Sequence, residues 1–132
     1  MIRDLNQSTS VEVARAAAAI ASNTTSNGSI IDLQGCGGVL FVLTVSARTD
    51  GTYTPTITVG NDSGLSDGVA ADASILQGTL SGAALSANGV SKVGLRANQG
   101  YRYARINIVS TSVTSGATVG ANAIKFDLSF EV

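Results

Sequence analysis

The chain contains no histidine and no tryptophan, one cysteine and one proline, and only 13% of its residues carry charge. Each shortage closes a class of function. Without histidine there is no imidazole to ligate a metal or move a proton near neutral pH. Cys36 has no second cysteine to pair with, so no internal disulfide forms. Its setting among Gly35, Gly37 and Gly38, ahead of an apolar strand, suits a small buried hydrophobe better than a nucleophile. The charged share is about half that of ordinary soluble domains. A net charge of −1 exerts no overall pull on nucleic acid or an anionic membrane. No apolar run approaches the ~20 residues of a membrane-spanning helix. The N-terminus does not read as a secretion signal, because Arg3 and Asp4 lead into the polar residues Asn6 to Ser10.

Gly, Ala, Ser and Thr take the place of the missing charge. A surface poor in Lys and Glu fits a protein that packs against others, since charge is depleted at interface cores. A hydroxyl-rich β domain standing alone would share this composition. At 132 residues the chain reads as one domain, able to bury roughly two-thirds of the surface its unfolded form exposes.

The pattern of the chain is that of strands. At its end Ile124, Phe126, Leu128, Phe130 and Val132 alternate with Lys125, Asp127, Ser129 and Glu131, which is a strand with one dry and one wet face. Val39 to Val45 is apolar at both parities, the mark of a strand buried on both sides. Further strands are expected over Ser29 to Leu33, Thr52 to Val59, Val90 to Arg96 and Tyr101 to Thr111, with a weak one over Ser74 to Leu80. Asn27-Gly28 and Asp50-Gly51 read as turns. Pro55 cannot donate to a ladder, so its stretch belongs at an edge or a bulge. Strands at this spacing predict an all-β, antiparallel, jelly-roll-like sandwich.

Residues 11–22 pull two ways. Thr9-Ser10-Val11-Glu12 fits a capping box and the alanine run 16–19 favours helix, whereas Val11, Val13 and Ile20 are β-branched. We read residues 1–22 as an N-terminal arm, extended or partly helical. In it Val11, Val13 and Ile20 are candidates for pairing with a neighbouring molecule. Residues 23–132 form the sandwich.

Little here is built for chemistry. Asp62, Asp67 and Asp72 crowd one loop, but their spacing matches no EF-hand, and aspartate is common in turns for its own backbone bonding. A serine nucleophile needs an adjacent base, and only Lys92 or Lys125 is available. No enzyme, metal site or cofactor is expected. Arg96, Arg102 and Arg105 gather around Tyr101 and Tyr103. Such a group can grip single-stranded nucleic acid, anchor a protein interface, or stack on its own surface. The protein interface is preferred, because the cations are few.

The succession Ile31-Asp32-Leu33-Gln34-Gly35, Val39 to Val45, and Thr49-Asp50-Gly51-Thr52-Tyr53-Thr54-Pro55 resembles a set of small tailed-phage and prophage virion proteins. Asn61-Asp62-Ser63 matches their following acidic loop. Val93-Gly94-Leu95, Asn98 and Tyr101-Arg102-Tyr103-Ala104-Arg105 match a later basic and aromatic stretch, with Leu95 in place of an aromatic residue. The likeness spans residues 30–110. The alanine-rich segment 14–21 and the small-residue tract 81–89 depart from it. These proteins resemble head decoration, or cement, proteins. The resemblance implies a partner in the major capsid protein, a place on the capsid exterior, and no catalysis. Self-association as a dimer or trimer is expected on separate grounds, because a sandwich with so little charge has faces to hide. The rival reading is a receptor- or carbohydrate-binding module of a fibre, or a head–tail joining component. A sugar site would need an exposed aromatic platform, and Tyr53 is the one tyrosine near a loop away from the basic strand.

Overall fold

A computed structural model describes residues 9–97 and 99–126. Among them are nine strands: β1 (Ser10–Ile20), β2 (Thr25–Asp32), β3 (Gly38–Ser46), β4 (Thr52–Gly60), β5 (Val69–Ala70), β6 (Leu76–Gln77), β7 (Gly89–Arg96), β8 (Tyr103–Thr111) and β9 (Ala117–Phe126). They form two antiparallel sheets, ordered β1-β9-β3-β7-β6 and β2-β8-β4-β5. The chain crosses from one sheet to the other between β1 and β2, β2 and β3, β3 and β4, β5 and β6, β7 and β8, and β8 and β9. That interleaving is the jelly-roll arrangement, and it confirms the sandwich expected from the strand spacing. β5 and β6 are two residues each. Such short outer strands blunt an edge against further pairing.

The core follows from alternation. Val39, Phe41, Leu43 and Val45 of β3 point inward, as do Val93 and Leu95 of β7 and Val119, Ala121 and Ala123 of β9. Ile57 and Val59 of β4 and Ala104, Ile106 and Ile108 of β8 meet them from the other sheet. Each large aliphatic or aromatic side chain so buried contributes about 1.5–3 kcal/mol. Tyr53 is also fully buried, with its hydroxyl donating to the Asp50 carbonyl at 3.0 Å. It offers no exposed ring for a sugar, and the platform considered above does not exist.

Pro55 sits where its missing N–H does no harm. Tyr53, two residues earlier, exchanges both backbone bonds with Leu85, away from β8, and the Ile57 carbonyl, two residues later, accepts the Ala71 N–H. Pro55 shares their parity, so its nitrogen faces the outer side of β4. β5 reaches only Thr58 and Val59 there. The edge position expected for this proline is the one it occupies.

Two local readings change. Asn27-Gly28 is not a turn; both lie within β2, at an irregularity between Asn27 and Ile30. A Cβ on Gly28 would come within 2.4 Å of the Ala14 carbonyl oxygen and 2.7 Å of that of Ile106. The glycine is there so that β1 and β2 can approach closely. The reversal falls instead on residues 21–24, held by Asn23, whose Oδ1 accepts the Val113 N–H, and by Ser110, whose Oγ donates to the carbonyls of Ser22 and Thr24.

The N-terminal segment is extended from Ser10 to Ile20, and its partner is β9 of the same chain rather than a neighbour. Ala14 and Ile20 turn into the core. The pairing is interrupted between Val13 and Ala18, and there the Arg15 guanidinium donates to the Val119 and Ala16 carbonyls. The helix suggested by the alanine run does not form, because β9 would otherwise present an unpaired edge beside an uncovered core. The alternation expected to continue past Phe126, and residues 1–8 of the arm, lie outside the described residues.

Candidate docking surface

The basic and aromatic residues singled out in the sequence do not form one patch. Arg102 makes a forked bond to Asp32, Nε to Oδ1 at 3.1 Å and Nη2 to Oδ2 at 3.0 Å, and lies 5.1 Å from the centre of the Tyr103 ring. The pair is exposed, so its worth is small. The Arg102 bond holds the Asp32 carboxyl below the usual carboxylate range. Tyr101 packs against the core from the β7–β8 connection. Arg105 lies on the outer face of the four-stranded sheet, between Ile30 and Thr58. Arg96 is on the other sheet altogether, at the end of β7. Backbone order explains the split: β7 and β8 belong to different sheets, so residues close in sequence part company there. Ile20 is 4% exposed, and the chain's own core takes the side chain proposed for a partner.

The loop carboxylates are engaged by their own backbone. Asp62 accepts N–H bonds from Gly64 and Ser66, and Asp67 from Asn61 and Asp62. Ser66 foremost holds Asp62 below the ordinary range, and Asn61 does so for Asp67. Lys125 is paired with Glu12 at 3.0 Å. Burial pushes the Cys36 thiol up, and its Sγ donates to the Leu33 carbonyl at 3.1 Å.

The two outer faces differ in character. On the four-stranded sheet, β4 turns Thr52, Thr54, Thr56 and Thr58 outward beside Asn107, which donates to the Thr58 hydroxyl at 3.0 Å. On the five-stranded sheet the outward residues fall into rows set by register. Val11, Ile124 and Leu40 form one row, with Gly94 beyond. Val13, Asn122, Val42 and Lys92 form the next, and Gly120, Thr44 and Val90 a third. Phe126 lies across Gly38, whose missing side chain leaves room for the ring; a Cβ there would be 2.5 Å from Cζ. Val11, Val13 and Val90 are 65%, 58% and 64% exposed, and Leu40, Val42, Ile124 and Phe126 are half-buried.

β3 is therefore apolar on both faces, as its sequence indicates, but the described residues cover only one of them. Arg15, Lys92 and Arg96 share the uncovered face, and none makes an ion pair among the described residues. No described carboxylate points outward there: Glu12 and Asp32 are paired, and Asp50, Asp62, Asp67 and Asp72 lie in connections. Of the sequence's interface candidates, Val11, Val13 and Arg96 meet here. Leu40, Val42, Ile124 and Phe126 were missed as surface residues because a doubly apolar strand reads as doubly buried.

No protein-family model and no curated protein matches the chain. Solved structures are similar to it along most of its length. The SPBc2 prophage-derived protein YomS is similar over 88% of this chain and 92% of its own, at 12% identity and a TM-score of 0.49. A structure of Bacillus endospore appendages, a family of disulfide-linked pili, is similar over 92% and 90% at 14% identity and 0.47. The structure of infectious bursal disease virus Gx strain is similar over 90% of this chain and 32% of the longer one, at 13% identity and 0.47.

Proposed function

We propose that the chain is a structural virion protein that binds the outer surface of a tailed-phage capsid and stabilises it, as head decoration proteins do. One observation carries the reading. β3 offers Leu40 and Val42 on a face that none of the other described residues covers, with Val11, Val13 and Ile124 around them. A contiguous apolar face of this kind belongs to a protein that docks on another. The sequence resemblance over residues 30–110 supplies the class of partner, and the low charge agrees with a life in contact. Each copy adds a modest interface, and many symmetric copies together stabilise the shell by far more than one.

The test is co-sedimentation of the purified protein with empty heads assembled from the major capsid protein of the phage or prophage that encodes it, followed by image reconstruction. Saturable binding and regular density over the shell are expected. Protein that stays in the supernatant at every ratio overturns the proposal.

A further inference from the structure

We infer which face docks and what chemistry it meets: the outer face of the five-stranded sheet lies on the partner, and the partner presents apolar side chains together with carboxylates. The inference rests on the capsid reading and adds an orientation and a recognition chemistry to it.

The two outer faces of the sandwich are not alike. The outer face of the four-stranded sheet carries the threonine hydroxyls of β4 beside Ile30, Tyr103, Arg105 and Val109 of β2 and β8, a mixed and mostly polar surface with no described large apolar side chain that is largely exposed. The opposite face carries Val11, Val13, Leu40, Val42, Val90, Ile124 and Phe126 with Asn122 among them, and its charges among the described residues are Arg15, Lys92 and Arg96, all positive. The four strands β1, β9, β3 and β7, spaced ~4.8 Å apart and about nine residues long at ~3.3 Å each, present roughly 600 Å². That approaches the ~800 Å² one partner contributes to an ordinary specific interface.

The sign of the charge selects the occupant. A second copy of this face, related by a two-fold axis, would bring three cations against three cations with no described carboxylate to meet them, and like charges in a closing interface are repelled. An acidic surface meets them instead. Arg15 is already fixed for the role, because its guanidinium is tethered to the Val119 and Ala16 carbonyls at the interruption in the β1–β9 ladder. Only Nη1 is engaged in these two bonds, and a guanidinium can take a carboxylate in a forked geometry with donors it has left. The hydroxyl-lined sheet then faces away from the shell.

Three variants test the assignment against heads of the major capsid protein: the double reversal Lys92→Glu with Arg96→Glu, Val13→Asp, and Thr56→Glu on the opposite sheet. All four chains, wild type included, are first checked for an unchanged melting transition. The first two variants are expected to bind heads at least about tenfold more weakly, and Thr56→Glu to bind within about twofold of wild type. Wild-type affinity should fall between about 50 and 500 mM NaCl, and the double reversal should lose that salt response. If wild type binds and the first two variants bind equally well, or Thr56→Glu alone weakens binding, the face is wrong while the capsid reading stands. If wild type does not bind, both fail together. A dimer in the absence of heads that Val13→Asp dissolves would make a second copy the occupant and overturn the inference.

Discussion

Ile20→Ala asks whether β1 belongs to its own molecule. Ile20 closes β1 opposite Ala117 of β9, is 4% exposed, and sits beside the 21–24 reversal. The substitution removes three carbons, worth about 2.4 kcal/mol in transfer terms at ~0.8 kcal/mol each. A residual cavity adds up to about 1.5 kcal/mol, less if the adjacent loop collapses into it. The expected loss is about 3 kcal/mol, which for a chain of this length lowers Tm by about 10 °C. The control is Val13→Ala on the same strand: Val13 is largely exposed, and its change should stay within ~0.5 kcal/mol. Thermal melting by circular dichroism, repeated over about a hundredfold range of protein concentration, reads both. An intramolecular β1 predicts a drop independent of concentration, whereas a strand exchanged between copies ties Tm to concentration. Loss of less than ~2 °C, or a drop whose size changes with protein concentration, would refute the assignment of β1 to its own sandwich.

Other outcomes follow from the same structure. Gly116 has φ +96°, and a Cβ there would lie 1.8 Å from the Ile20 carbonyl oxygen. Gly116→Ala should cost about 2–4 kcal/mol in urea unfolding, combining the positive-φ penalty of ~1–2 with a forced backbone shift; a loss under ~0.5 kcal/mol would contradict the close approach. Asp50 binds the β8–β9 turn, and the N–H groups of Ser115, Gly116 and Thr114 hold its carboxyl below the usual range. A depressed folded-state pKa contributes stability that is full above the unfolded value near ~3.9 and is lost as pH falls below it. Asp50→Asn should therefore melt lower than wild type at pH 7, with the gap closing as pH approaches 2; a gap independent of pH would show that the carboxylate charge is irrelevant. Cys36 is buried with a raised pKa, so a thiol reagent at pH 8 should modify the native protein far more slowly than the urea-unfolded chain. Equal rates would place the thiol at the surface.

The sequence by itself determined the strands and the class of fold. Alternation in β4, β8 and β9 and the turn at Asp50-Gly51 are local signals, and local backbone geometry is enough to express them. It also determined that β3 is apolar at both parities. What lay on each side of β3 was beyond its reach, because coverage depends on which strands become neighbours. Tertiary structure decided that β9 lies between β1 and β3, and that no layer of the described residues covers the far side. It decided that Gly28 serves a close backbone approach rather than a turn, because the Ala14 carbonyl it accommodates is fourteen residues away in sequence. It separated Arg96 from Arg102, Tyr103 and Arg105 by sending β7 and β8 into different sheets, and gathered Arg15, Lys92 and Arg96 from β1 and β7 onto one face. A charged face is a sum over distant segments. Only the pairing of the strands sets which charges are added together.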